Sequence, residues 1–106
     1  MSELAPPPHV FVRRAQRLDT IAVRERQISR LQAEQRLDVA ALFREDRGGM
    51  ATKYVADELA LTWHLSPRQA RTRQDVALVF ADFPAVIGLV ADGQWLITHA
   101  DAVIDE

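Results

Sequence analysis

The chain runs from Arg14 to Arg44 without a glycine or a proline. Those two residues are the least favourable in a helix interior, and the residues that fill the stretch favour one. Apolar residues recur at helical spacing, at Leu18, Ile21, Ile28, Leu31, Val39 and Leu42. One long helix over about residues 14–45 is the expectation. Glu25 and Gln35 interrupt its apolar stripe. Its other faces carry Arg17, Arg24, Arg26, Arg30, Glu34 and Arg36. Two accounts of the stripe stand side by side. It pairs with a second copy as a coiled coil, or it packs against its own domain.

A helix of that length takes a large share of 106 residues, a length that fits one domain. Residues 1–13, with Pro6, Pro7 and Pro8, read as a flexible extended leader. Residues 14–106 then form a single helical domain. Arg47-Gly48-Gly49 breaks the long helix, and Thr52 is a candidate cap for the next. That helix runs to about Trp63 and buries Val55, Ala56, Leu59, Ala60 and Trp63. His64-Leu65 forms a tight connection. Ser66 is an N-cap, and Pro67 sits at the first helical position, where a missing N–H costs nothing. The third helix ends before Phe83-Pro84, near Asp82. A short helix over residues 85–91, the Asp92-Gly93 turn and a last helix over residues 98–105 complete an all-α bundle.

Composition excludes several classes of function. The chain has no cysteine, so disulfides, cysteine nucleophiles and thiolate metal sites are excluded. Its apolar runs are too short to span a membrane. The start, MSELAPPPHVF, lacks the basic region and apolar middle of a signal peptide. A cytoplasmic protein with no membrane partner is the expectation. Net charge is −2, but it is unevenly spread. Every lysine and arginine lies before Asp75, while Asp75, Asp82, Asp92, Asp101, Asp105 and Glu106 follow without a basic residue.

The stretch LTWHLSPRQARTRQ, residues 61–74, carries three arginines and no acid. It lies in a helix-turn-helix pattern at residues 53–82. Ala60 is small enough for close helix approach, Trp63 closes the first helix, and Leu65 points inward from the turn. Ala70 packs the second helix back on the first. Ser66, Arg68, Gln69, Arg71, Thr72 and Arg73 are left facing outward as candidate DNA contacts. The start of a helix in the major groove meets base edges, where arginine grips guanine and glutamine grips adenine by two bonds each. Arg68, Gln69, Thr72 and Arg73 are placed for the groove. Ser66 and Arg71 lie nearer phosphate. Two letters fit less well. His64 stands where glycine is common, and Arg73 stands where an apolar residue is usual, with Val76 and Ala77 as candidates to replace its packing.

The elements Leu65-Ser66, the following helix, Pro84, Gly93 and His99-Ala100 resemble, in order and spacing, the helix-turn-helix region of ParB-type partition proteins. A wider resemblance, over residues 15–106, is to the actinobacterial domain of unknown function 222. It rests on the arginine-rich helix ERQISRLQAEQRLDVAALF, the motif Leu65-Ser66-Pro67-Arg68-Gln69-Ala70, Phe83-Pro84 and His99-Ala100. Such domains are common upstream of an HNH endonuclease. The resemblance implies a DNA-associated role, with any nuclease chemistry in an HNH domain outside this sequence.

The remaining candidates are weaker. His9, His64 and His99 form no clustered metal motif. Asp101 and Asp105 share a helical face as metal ligands could, but solvated acids are commoner. Trp63 and Trp95 could stack bases, but core packing is the commoner role. The reading is a double-stranded DNA-binding module without intrinsic catalysis, cofactor or metal, related to the N-terminal part of an HNH-type protein. The alternative is a dimerisation or adaptor module, a homodimer through the long helix, whose helix-turn-helix is purely structural.

Overall fold

The computed structural model describes residues 8–45 and 54–105. Five helices follow in order: α1 (Pro8–Arg44), α2 (Val55–Trp63), α3 (Pro67–Phe80), α4 (Pro84–Ala91) and α5 (Ile97–Ile104). No strand occurs among the described residues. The all-α class therefore stands. The candidate cap Thr52 and the Gly48-Gly49 break lie outside the described residues.

α1 starts earlier than the sequence reading places it. Pro8 occupies its first position, where proline's fixed φ suits a helix and its missing N–H is not needed. Residues 8–13, read from the sequence as part of the leader, are helical. The other helix bounds shift by one or two residues, within ordinary fraying.

The burial of α1 overturns the expected apolar stripe. Only Val39 of the six stripe residues is buried; Leu18, Ile21, Ile28, Leu31 and Leu42 are exposed. The buried positions are Ser29, Ala33, Val39 and Ala40. Small side chains let neighbouring backbones approach closely, and that side of α1 receives α3, α4 and α5. From Pro8 to Ile28 nearly every residue is exposed, with Val10 alone half-buried. The radius of gyration is 19.6 Å. A compact chain of this length has about 13 Å. The excess reflects the N-terminal half of α1, which extends past the bundle.

Two small cores flank the C-terminal half of α1. In one, Val39 meets Val55, Leu59 and Ala60 of α2 and Ala70 and Ala77 of α3. In the other, Ala33 meets Phe80, Val86, Val90, Ile97 and Ala100. α3 supplies both, so it is the central element. Gln74 of α3 is buried too, and its Oε1 has no hydrogen-bond partner among the described residues.

Polar contacts tie the acidic C-terminal third to the basic α1. Arg36 makes a two-pronged bond to Asp101, at 2.6 and 3.0 Å, and its guanidinium lies 5.0 Å from the Phe80 ring centre. Arg44 reaches Asp82 at 3.2 Å. Arg30 donates to the Ala91 carbonyl at the end of α4. The charge asymmetry along the sequence is thus partly cancelled by folding. The Ile97 N–H, one of the free donors at the start of α5, donates to the buried Ser29 Oγ at 2.9 Å.

Candidate nucleic-acid interface

α2 and α3 form the helix-turn-helix, and local bonding explains its shape. α2 buries Val55, Ala56, Leu59 and Ala60, with Trp63 half-buried at its end. His64 then takes a left-handed conformation, φ 56° and ψ 44°. Its N–H donates to the Leu61 carbonyl, and the Leu65 N–H donates to Ala60 at 2.9 Å. This pair of bonds is the Schellman closure of a helix end. α4 ends in the same way at Gly93, φ 78°, where the Gln94 N–H reaches Leu89 and the Gly93 N–H reaches Val90. Histidine serves at one end where glycine serves at the other, because polar side chains of this kind tolerate the left-handed region better than most.

α3 opens on a reciprocal cap. Ser66 Oγ accepts from the Gln69 N–H, and Gln69 Oε1 accepts from the Ser66 N–H. Two free donors at the helix start are thereby satisfied. Ala70 is fully buried against α2, as the close approach requires.

All six sequence-selected residues, Ser66, Arg68, Gln69, Arg71, Thr72 and Arg73, are solvent-exposed. They are not equivalent. Ser66 and Gln69 hold each other in the cap. Thr72 donates its hydroxyl back to the Arg68 carbonyl. Arg73 lies over the Trp63 ring, 5.0 Å from its centre. That stacking is why an arginine suits a position that usually carries an apolar residue: its planar guanidinium covers the indole. Ala77 is buried alongside, whereas Val76 stays largely exposed and does not replace the missing packing.

Arg68 and Arg71 remain. Among the described residues neither meets a carboxylate. They are one turn apart on the same helix face, with Thr72 beside them and Asp75 at the far end. The outward face of the first two turns of α3 is therefore cationic, and Asp75 bounds it.

The sequence reading missed a second feature beside this helix. A groove between α1, the α2–α3 pair and α5 is lined by Gln35, Arg36, Val39, Trp63, Arg73 and Val76, among others. Arg36 and Asp101 close one side of it as an ion pair. No local pattern reveals such a groove, because its walls come from three separated segments.

Trp95 is half-buried against the Phe80 core. His99 is exposed, and its Nδ1 accepts from the Leu96 N–H at 3.4 Å at the start of α5. Among the described residues no three histidine, aspartate or glutamate side chains group to hold a metal ion. No single described helix is long and apolar enough to cross a membrane.

Comparison of the chain with family models, with curated proteins and with solved structures finds no match. The resemblances drawn from the sequence therefore rest on the motifs quoted for them.

Proposed function

We propose that the protein binds double-stranded DNA through the first two turns of α3, with Arg68 and Arg71 as the principal contacts. One observation carries this reading. Within the bundle, Arg36 and Arg44 are engaged by carboxylates, Arg30 by a carbonyl and Arg73 by the Trp63 ring. Arg68 and Arg71 stand exposed on a capped helix start without a carboxylate partner among the described residues. Guanidinium groups so placed suit phosphate oxygens or the edge of guanine.

The surrounding residues support rather than read. The Ser66–Gln69 cap fixes the helix start, and its bonds occupy the amide oxygen that would contribute to gripping adenine. Arg73 on Trp63 holds the α2–α3 angle. Thr72 lies on the contact face. The module acts by binding and not by catalysis, and the resemblance to domains found beside HNH endonucleases agrees with a DNA-associated role.

The test is titration of a labelled duplex at low and at moderate salt. Binding should be present at low salt and weaken steeply as salt rises, because phosphate contacts release counterions. The double variant Arg68→Ala/Arg71→Ala should weaken binding and flatten the salt dependence. Absence of binding at low salt, or binding indifferent to that variant, rejects the reading.

A further inference from the structure

The N-terminal half of α1 is the least explained part of the molecule. From Pro8 to Ile28 it has almost no tertiary contact, yet it is helical throughout. An isolated helix of that length is marginal in water, since most helical stability in proteins comes from packing of one face. Its apolar residues are also large. Phe11 is 56% exposed, Leu18 63%, Ile21 52% and Ile28 47%.

Phe11 and Leu18 are seven residues apart, and so are Ile21 and Ile28. Each pair keeps its own position in a heptad, Phe11 and Leu18 at one seam position and Ile21 and Ile28 at the other. Two charged residues complete the same seam, Arg14 and Glu25. The seam stops at Gln32 and Gln35, where the helix enters the bundle. The bundle meets α1 through Ser29, Ala33, Val39 and Ala40. A consecutive helical residue is turned by about 100°. Ile28 therefore points away from Ser29, on the side that Val39 gives to α2 and α3 eleven residues further along.

We infer that this seam is the interface of an antiparallel homodimer whose two-fold axis crosses α1 between Asp19 and Thr20. That register sets Leu18 against the partner's Ile21 and Phe11 against the partner's Ile28. The same register sets Arg14 against the partner's Glu25, so both charged layers become ion pairs. Like edges meet in an antiparallel pair, so Arg17 and Arg24 face the partner's Arg24 and Arg17, with their stems along the interface and their charged ends splayed into solvent. A parallel pair does the opposite. It places Arg14 against the partner's Arg14 and Glu25 against the partner's Glu25, two like-charge layers in the seam, which is strongly unfavourable. The core layers of the seam are thus self-complementary in one direction only. The seam is about 27 Å long at 1.5 Å per residue. It ends before Ser29, the first buried position of α1, so the bundles sit at opposite ends of the paired helices. Association through α1 uses none of the DNA-facing residues, so this inference stands or falls apart from the proposed function.

The test begins with the mass of the full chain in solution, by light scattering across a range of concentration. A dimer is expected. Arg14→Glu and Glu25→Arg should each raise the dimer dissociation constant by on the order of tenfold or more. The combined variant Arg14→Glu/Glu25→Arg should restore it, since every residue involved is exposed and the bundle is untouched. Because the chain has no native cysteine, direction can be read by oxidative cross-linking. A mixture of Arg14→Cys and Glu25→Cys proteins should yield the mixed disulfide in excess of either homodisulfide. A single-chain mass at every concentration overturns the inference. So does failure of the combined variant to restore association, or a predominance of 14-to-14 cross-links.

Discussion

The two halves of α1 belong to one helix and differ in a way that reverses the usual association of size with burial. The N-terminal half carries Phe11, Leu18, Ile21 and Ile28, all exposed. The C-terminal half buries Ser29, Ala33, Val39 and Ala40, mostly small. The reason is geometric. Three other helices crowd onto the second half, and only small side chains allow backbones to pack that closely. Large apolar residues on the first half have no cover among the described residues. Apolar content alone therefore does not locate the core of this protein; the presence of neighbours able to cover a face does.

The difference can be probed in graded steps. The largest effect belongs to Phe80, which is fully buried where α3 meets α4 and α5. Phe80→Ala should cost about 3–5 kcal/mol in urea unfolding, at any protein concentration. Leu18→Ala, in the exposed half, should act only through association and be silent at high dilution.

A smaller effect is expected at Arg36, whose side chain is 19% exposed and joins α1 to Asp101 and the Phe80 ring. Arg36→Ala should lower stability by about 1–2 kcal/mol, discounted from a fully buried pair because Asp101 is 40% exposed. Arg24→Ala on the projecting half should fall within about 0.5 kcal/mol of the parent, both variants being read by urea unfolding.

The smallest contrast is between two hydroxyls. Ser29→Ala leaves the Ile97 N–H buried without its acceptor and should cost about 1 kcal/mol. Thr20 only bonds back to the Gln16 carbonyl of its own helix, in solvent. Thr20→Ala should leave stability nearly unchanged. Equal losses in the two variants would show that the tie between α1 and α5 is not what makes Ser29 matter.

Local signals in the sequence were reliable where the chain satisfies its own backbone. Ser66 followed by Pro67 marked the start of α3, and the cap forms within four residues. Leu65 and the apolar side of α2 were legible because a short amphipathic helix has one face to bury. The six outward positions of the candidate DNA-binding helix were found on the same grounds, since helical spacing decides which residues share a face. Which of those six are already engaged was not legible for Arg73, because the Trp63 ring that engages it belongs to another helix.

The sequence by itself determined the helical class, the turn at His64 and the concentration of arginine at the start of α3. Each follows from backbone preferences acting over a few residues. The tertiary structure alone decided which side of α1 is buried. It also decided which arginines find carboxylates and that Ser29 serves the start of α5. Those outcomes depend on contacts between segments tens of residues apart: Arg36 with Asp101, Arg44 with Asp82, Ser29 with Ile97. Their positions relative to one another are fixed only when α3 is seated between its neighbours.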